Sequence, residues 1–172
     1  LAFLARSDGG PAFYSQMRLG KGGRPFRMWK LRTMVPDADS RMAQYLRANP
    51  VARMEWDNTQ KLRCDPRITR FGHFLRRSSL DELPQLWNVL VGEMSLVGPR
   101  PMMLSQQRLY PGSAYYLMRP GITGHWQTAG RNATAFSARA DFDGEYEATL
   151  SLATDLRILA RTVKVVVQGT GC

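Results

Sequence analysis

Two adjacent carboxylates, Asp81 and Glu82, stand near the middle of the sequence in the stretch RRSSLDELPQLW, which begins at Arg76. An ionised carboxylate can attack an electrophile, and its neighbour can hold a divalent cation through oxygen. The guanidinium groups of Arg76 and Arg77 favour the ionised form of a nearby carboxylate and can neutralise a phosphate that is being attacked. One interpretation of the pair is therefore a phosphate-handling reaction centre.

The other interpretation is a helix start. Ser79 followed three residues later by Glu82 matches a capping box, in which each side chain accepts a hydrogen bond from the other residue's backbone N–H. Pro84 has no N–H and is tolerated only in a first turn, so the helix should begin close to Ser79 or Asp81. The apolar residues that follow at helical spacing predict a buried stripe of Leu83, Leu86, Trp87 and Leu90. The residues alone leave both interpretations open.

The composition indicates an anionic partner. The chain has 172 residues, of which 44% are hydrophobic, and this predicts one domain over residues 1–172 with a core of its own. Its 24 Lys and Arg against 14 Asp and Glu give a net charge of +10, typical of proteins that bind nucleic acid, anionic membranes or phosphorylated substrates. The two cysteines, Cys64 and Cys172, exclude a disulfide framework, and with two histidines they show no zinc-ligand spacing.

The pattern along the chain predicts a helix-rich α+β fold with a small β-hairpin. Residues 11–34 alternate aromatic and basic side chains around GKGGRP, which is typical of two short strands joined by a turn. Residues 37–63 have helical composition, with a break predicted at Asn49–Pro50. Residues 152–168 form a basic amphipathic pattern, which fits either a core-packed surface helix or a helix that lies in a membrane interface.

Four motifs in a fixed order resemble a known family. FRMWKLRTM, DPRITRFGHFLRR, SLDELPQLWNVLVGEMSLVGPRP and RPGITGHWQTAGRN are similar to the motifs of bacterial sugar transferases that are monotopic phosphoglycosyl transferases. The resemblance runs from about Gly10 to the C-terminus and is greatest to undecaprenyl-phosphate galactose or glucose phosphotransferases. It implies transfer of a sugar 1-phosphate from a UDP-sugar to undecaprenyl phosphate, with release of UMP and a phosphosugar carried on an aspartate. This is a first membrane step in the synthesis of exopolysaccharide, O-antigen or capsule.

The same resemblance implies roles for individual residues. It makes Asp81 the nucleophile and Glu82 the ligand of a Mg²⁺ cofactor. It also implies a set of positions near the substrate phosphates, which in this sequence are Lys30, Arg76, Arg100, Arg131 and Asp143. For each of these the plainer alternative is a solvated side chain, a surface ion pair of little energetic weight, or a turn residue.

A membrane location follows from the resemblance as well. The opening LAFLARSDGGP is similar to the exit from the re-entrant membrane helix of such enzymes, and we expect that helix to lie upstream of residue 1. The terminal helices of the family lie on the membrane interface, so residues 152–168 are expected there, at the cytoplasmic face of the bacterial inner membrane. Anionic lipids and two phosphorylated substrates then account for the positive charge. A homo-oligomer is one of the assemblies that the sequence allows.

Two rival functions belong to other classes of protein. A basic nucleic-acid-binding module would explain the aromatic and cationic residues between Phe13 and Lys30. However, the chain has no recognisable DNA- or RNA-binding motif, and the acidic pair would repel a phosphate backbone. The second rival is a catalytically idle relative of the transferases that serves as an assembly or scaffold subunit, and the intact Asp81–Glu82 pair argues against it. No motif identifies the sugar that would be transferred.

Overall fold

The computed structural model describes residues 10–59, 62–129 and 136–168. Its strands are β1 (Phe13–Leu19), β2 (Pro25–Leu31), β3 (Ser95–Val97) and β4 (Gly121–Thr123). Its α-helices are α1 (Ala38–Ala48), α2 (Pro50–Thr59), α3 (Arg70–Arg77), α4 (Gln85–Leu90), α5 (Ala114–Leu117), α6 (His125–Ala129), α7 (Arg139–Ala148) and α8 (Leu152–Val167). Short 3₁₀ turns lie at Lys21–Gly23, Leu80–Glu82, Leu104–Leu109 and Phe136–Ala138. This is the helix-rich α+β architecture that the sequence predicts.

The predicted hairpin is confirmed. Strands β1 and β2 pair antiparallel, with Phe13 opposite Leu31 at the open end and Leu19 opposite Pro25 at the turn. Gly22 and Gly23 in that turn have φ values of 67° and 73°, a left-handed backbone region that favours glycine. The hairpin places Lys30 one residue before the end of β2.

A second, parallel pair of strands is held together by unusually close backbone contact. Ser95 lies opposite Gly121 and Val97 lies opposite Thr123. A Cβ atom on Gly121 would lie 2.1 Å from the backbone nitrogen of Gly98, so no side chain fits at this position. The contact fixes the loop that follows β3 against the strand that leads into α6.

The helical insert is broken where the sequence predicts. Helix α1 ends at Ala48 and α2 begins at Pro50, because proline excludes the helical conformation from the residue before it. Asn49 at the break has an extended backbone, with φ −133° and ψ 95°. Its side-chain Oδ1 accepts a hydrogen bond from the backbone N–H of Ala52 at 3.1 Å, which satisfies one free donor at the start of α2.

Tyr115 is the largest fully buried side chain among the described residues, and its hydroxyl connects three segments. It donates to the carbonyl oxygen of Leu19 at the end of β1 and accepts from the backbone N–H of Met102 at 3.1 Å. The Tyr110 ring meets that of Tyr115 edge to face, with centroids 5.8 Å apart. The surrounding cluster of buried residues consists of Leu19, Met102, Tyr110, Tyr115 and Phe136.

Asn88 of α4 ties this helix to the outer edge of β2. Its side chain is completely buried, and its Oδ1 accepts from the backbone N–H of Trp29 at 3.1 Å. Its Nδ2 donates to the backbone oxygen of Arg27 at 2.8 Å and to Oε2 of Glu93 at 2.6 Å. The amide therefore satisfies two backbone groups of β2 that no neighbouring strand pairs with, and it fixes the distance between α4 and the strand that carries Lys30.

The prediction that the apolar stripe of α4 would be buried is wrong. Those four residues are exposed, by 46% for Leu83, 44% for Leu86, 60% for Trp87 and 80% for Leu90. The inward side of the helix is occupied by Gln85, Asn88 and Val89. Hydrogen bonding of Asn88 to β2 turned the polar side of the helix inward and left its apolar side outward.

The predicted C-terminal helix is confirmed as α8, but its main apolar stripe also faces outward. Ile158 is 2% exposed and packs in a second core cluster with Val97, Ala114 and Met118. By contrast, apolar side chains on the other side of the helix are exposed, and these are Leu152, Leu156, Val163 and Val167. Within the described ranges, no helix has the length and apolar character needed to cross a membrane.

Asn88→Ala should lower the free energy of unfolding by about 2–4 kcal/mol, because it removes a fully buried amide and leaves the partly buried N–H of Trp29 and carbonyl of Arg27 without these hydrogen bonds. Urea unfolding followed by circular dichroism measures this. Asn58→Ala, in an exposed position of α2, is the matched control and should change stability by less than about 0.5 kcal/mol. Equal losses in the two variants would show that Asn88 does not hold α4 in place.

Candidate active site

Lys30 of β2 bridges the two carboxylates that the sequence singles out. Its Nζ lies 2.7 Å from Oε1 of Glu82 and 3.7 Å from Oδ2 of Asp81. The carboxylates sit in the 3₁₀ turn Leu80–Glu82, which packs against β2 and leads through Pro84 into α4. The structure thus brings Lys30 to a pair of carboxylates about fifty positions further along the chain, and the ammonium offsets part of the repulsion between them.

The capping box, one of the two interpretations of this turn, is absent. The Ser79 side chain makes no cap hydrogen bond, although its backbone oxygen accepts from the N–H of Glu82 at 3.2 Å. Ser79 has φ 56°, the only positive φ of a non-glycine residue in the described ranges. A left-handed conformation costs a residue of this kind about 1–2 kcal/mol. The strain lies in the sharp connection between the end of α3 at Arg77 and the turn that carries Asp81 and Glu82.

Asp81 is buried, with 6% of its surface exposed. We expected nearby cations to keep its pKa low, but the pKa is raised from the ordinary value because burial disfavours the charged form. Lys30 acts in the opposite direction, Glu82 adds to the increase, and Arg76 and Arg100 oppose it. The carboxylate therefore has few waters around it and depends on cations for its charge.

Arg76 stands beside the pair at the end of α3. Its Nε donates to Oγ1 of Thr33 at 2.9 Å, which anchors the guanidinium just beyond β2. Burial lowers its pKa, and the negative charge of Asp81 acts in the opposite direction. Arg77 is exposed and forms no such contact, so of the two arginines only Arg76 belongs to the site.

A cavity of about 140 Å³ opens beside Glu82 and Lys30. Its charged lining, among the residues that the structure describes, consists of Arg18, Lys30, Glu82, Arg100 and Arg139. Four cationic groups and one carboxylate make it strongly attractive to anions. A larger surface depression of about 610 Å³ lies along α1 and α2 and contains none of these residues.

Arg100, predicted from the GPRP motif, does line the cavity, and two further arginines were missed. Arg18 reaches it from β1, and Arg139 reaches it from the first turn of α7. The Arg139 guanidinium carbon lies 4.3 Å from the ring centre of Trp126 and 4.4 Å from that of Phe136. Neither Arg18 nor Arg139 lies in a recognisable motif. For Arg18 the alternation of side chains along β1 gives a signal, because it places Arg18 on the opposite face from the exposed Met17.

Asp143 lies behind the cavity, and it is not part of the lining. It accepts a hydrogen bond from the Tyr110 hydroxyl at 2.9 Å and is 6% exposed. Burial raises its pKa to about 6, while the hydrogen bond from Tyr110 and the charge of Arg139 act in the opposite direction. Asp143 is thus a neighbour of a cavity residue. Arg131 falls outside the described residues, so its predicted role has no structural counterpart here.

The carboxylate oxygens of Asp81 and Glu82 are the atoms near the cavity that could hold Mg²⁺, and they would need further ligands to complete its coordination. This ion prefers oxygen ligands and is commonly held by one or two carboxylates together with substrate phosphates and water. Asp81 and Glu82 supply two carboxylates, and the described ranges contain no group of three or more His, Cys, Asp or Glu side chains placed to hold a metal. The residues therefore fit an ion whose coordination is completed by a phosphorylated substrate.

Comparison with known proteins identifies the class. The chain matches the bacterial sugar transferase family over residues 1–169 and belongs to that family. This confirms the resemblance inferred from the four motifs.

The chain is also similar to individual members of this family whose names state an activity or a pathway. The chain is 47% identical over 173 residues to the UDP-galactose-lipid carrier transferase of Erwinia amylovora, an alignment that covers 99% of this chain and 36% of the relative. It is 46% identical over 173 residues to the undecaprenyl-phosphate galactose phosphotransferase of Salmonella typhimurium, with 99% and 36% covered. The exopolysaccharide production protein ExoY of Rhizobium meliloti is 43% identical over 173 residues, with 99% and 76% covered. The chain spans about a third of the length of the first two relatives.

The raised pKa of Asp143 predicts a pH dependence of stability. Because its folded-state pKa of about 6 exceeds the ordinary value of 3.8, the folded state binds more protons than the unfolded state between these values. This residue therefore makes the free energy of unfolding fall by about 2–3 kcal/mol as pH rises from 4 to 6. Asp143→Asn should remove that slope in urea unfolding measured across this range. Asp141→Asn, an exposed position of the same helix, should keep it; equal slopes in both variants would contradict the assignment.

Proposed function

We propose that this chain is the catalytic domain, over residues 1–172, of a phosphoglycosyl transferase that moves a sugar 1-phosphate from a UDP-sugar to undecaprenyl phosphate and releases UMP. Family membership supports this, as do relatives named for galactose transfer to a lipid carrier or to undecaprenyl phosphate. The observation that carries the proposal is the Lys30 ammonium bridging Asp81 and Glu82 at the mouth of a cationic cavity. The undecaprenyl diphosphate sugar formed in this way would enter exopolysaccharide synthesis, in line with the name of the ExoY relative.

The proposed reaction has two displacements at one phosphorus atom. An Asp81 carboxylate oxygen attacks the sugar-bearing phosphorus of the UDP-sugar; the new O–P bond forms while the P–O bond to UMP breaks, and the electron pair stays on UMP. An oxygen of undecaprenyl phosphate then attacks the same phosphorus and displaces the Asp81 carboxylate. The lipid leaves as an undecaprenyl diphosphate sugar, and Asp81 returns to its starting state.

Burial of Asp81 suits this role. A buried carboxylate has shed most of its water and so has less solvation to lose when it approaches phosphorus. Its raised pKa makes it a better nucleophile once ionised, and Lys30 at 3.7 Å helps to maintain that ionised form. Lys30 thus prepares the nucleophile, and it can also neutralise charge on the incoming diphosphate.

Arg76 and Arg100 are proposed to bind phosphate. Arg76, anchored to Thr33, faces Asp81, and Arg100 lies in the cavity lining. Mg²⁺ held by Glu82 would neutralise diphosphate oxygens and help a carboxylate to approach them. Arg131 and Asp143 remain proposals from the family resemblance. The sugar is left open, since the names of relatives include both galactose and glucose.

We also propose that the protein docks on the cytoplasmic face of the bacterial inner membrane. Exposed apolar side chains of α4 and α8 support this, because an acceptor lipid must reach the carboxylate pair just before α4. On α8 the exposed stripe adjoins Arg157, Arg161 and Lys164, a pattern typical of helices that lie in an anionic interface. Family membership favours this function over the nucleic-acid-binding alternative, and the Asp81–Glu82 pair bridged by Lys30 favours it over a catalytically idle relative.

Asp81→Asn should abolish transfer, because it removes the attacking charge with little change in volume. The measurement is UMP release in detergent with Mg²⁺, undecaprenyl phosphate and a panel of UDP-sugars. Asp39→Asn, an exposed position of α1, is the matched control and should retain full activity. Normal turnover by Asp81→Asn would exclude the covalent mechanism, and no release by the wild-type protein with any sugar would favour the scaffold alternative.

Replacing two exposed apolar residues of α4, Trp87→Ser with Leu90→Ser, should weaken binding to vesicles that contain anionic lipid by at least about tenfold, since each side chain contributes apolar area to the interface. Co-sedimentation measures this. The free energy of unfolding should change by less than about 1 kcal/mol, because both side chains are already exposed. Val51→Ser on α2, which is 72% exposed, is the control. If all variants bind vesicles equally, this face of α4 is not the docking surface.

A further inference from the structure

Three arginines in the cavity have unused binding capacity. We call Arg18, Arg100 and Arg139 the arginine cluster. None of its guanidinium groups forms an ion pair with a carboxylate among the residues that the structure describes. The Nε atoms of Arg18 and Arg139 are buried and make no hydrogen bond. A buried N–H donor of a charged group without a partner is costly, and an ordered water, an ion or a ligand group can supply the missing acceptor.

The cluster is held rigidly enough to act as a binding site. Arg18 donates from Nη2 to Oε1 of Gln16 at 2.6 Å and from Nη1 to the carbonyl of Pro101 at 3.3 Å. Arg139 is clamped between the Trp126 and Phe136 rings, and only 7% of its surface is exposed. These contacts hold the planar groups in place before any ligand arrives, so little conformational entropy is lost on binding.

Mutual repulsion within the cluster indicates the charge of that ligand. Burial and then the positive charge of Arg100 lower the pKa of Arg139 to about 9, while the charge of Asp143 acts in the opposite direction. Burial and the charge of Arg100 lower the pKa of Arg18 to about 10. Both groups remain protonated at neutral pH, so the folded protein holds three like charges together. An anion between them would relieve this repulsion and supply the missing hydrogen-bond acceptors.

We propose that the arginine cluster is a phosphate subsite in which Arg18 and Arg139 bind a phosphate group directly and hold it beside the Asp81–Glu82 pair. The proposal rests on the proposed transferase function for the identity of the phosphate. A cavity of about 140 Å³ is well below the roughly 300–1,000 Å³ of sites that enclose whole drug-sized ligands. It therefore takes the phosphate end of a substrate and leaves the rest outside.

Two substrates carry a phosphate of this chemistry. One is the phosphate of the UDP-sugar that departs as UMP, where the cluster would stabilise the charge that the oxygen gains when its bond to phosphorus breaks. The other is the phosphate of the polyprenyl acceptor, where the cluster would orient the attacking oxygen. The cluster forms no bond to phosphorus in either case.

The experiment compares phosphorylated and dephosphorylated forms of each probe with the full chain in detergent. Binding of UMP against uridine, and of farnesyl phosphate against farnesol, is measured by calorimetry at constant ionic strength for wild type, Arg18→Met and Arg139→Met. We expect each variant to bind one phosphorylated probe at least about tenfold more weakly, with its dephosphorylated partner unaffected. Loss for UMP assigns the subsite to the donor, and loss for farnesyl phosphate assigns it to the acceptor.

The controls separate binding from folding. Methionine replaces a buried charge by an apolar side chain of similar length, so thermal unfolding of Arg139→Met should be unchanged or raised while phosphate binding falls. A residue with only a structural role would not give this combination. Arg24→Met, an exposed arginine of the hairpin turn, makes the same change of charge and should bind both probes within twofold of wild type.

Failure of the subsite and failure of the transferase proposal give different results. Binding of both phosphorylated probes within twofold of wild type in Arg18→Met and Arg139→Met would overturn the subsite, even if the wild-type protein releases UMP from a UDP-sugar. Loss of phosphate binding in these variants would establish the subsite, even if the wild-type protein released no UMP and the transferase proposal fell.

Discussion

The geometry of the candidate site depends on one buried amide. Asn88 makes hydrogen bonds to two backbone groups on the free edge of β2, where a third strand would otherwise pair. The same strand carries Lys30, and the helix that carries Asn88 begins just after Asp81 and Glu82. Because the Asn88 side chain is completely buried and both hydrogen bonds go to the backbone, the fold sets the distance between the ammonium and the two carboxylates.

Sequence reasoning was reliable where local chemistry decides. Glycines in a turn and a proline after Asn49 determined the hairpin and the broken helical insert without tertiary help. It failed at α4, where spacing showed an apolar stripe but could not show which surface would cover it. The hydrogen bonds from Asn88 to β2 come from residues far away in sequence, and they reversed the expected orientation. The Ser-x-x-Glu spacing also fits a capping box, and no local pattern predicts the positive φ that Ser79 adopts instead.

The residues of the candidate site also fall into those that the sequence indicates and those that only the structure shows. Asp81 and Glu82 are adjacent and could be singled out by type, and Lys30 and Arg100 were found through long motifs. Arg18 and Arg139 lie in a strand and at a helix start with ordinary local sequences. Their burial arises from packing between β1, the loop after β3 and the aromatic residues before α7 and in α6, and no spacing rule shows this. The direction of the Asp81 pKa was missed because burial outweighed the visible charges.

The close backbone contact at the parallel strands has a consequence for how such proteins can diverge. Gly98, Gly121 and Gly124 meet so closely that a methyl group on Gly121 or Gly124 would lie 2.1 Å from a backbone atom of Gly98. A larger residue at one of these glycines cannot be accommodated by a smaller residue at another, because glycine is already the smallest residue. Any side chain at this joint would therefore force two backbones apart, whereas exposed positions of α1 and α2 can change without moving either strand.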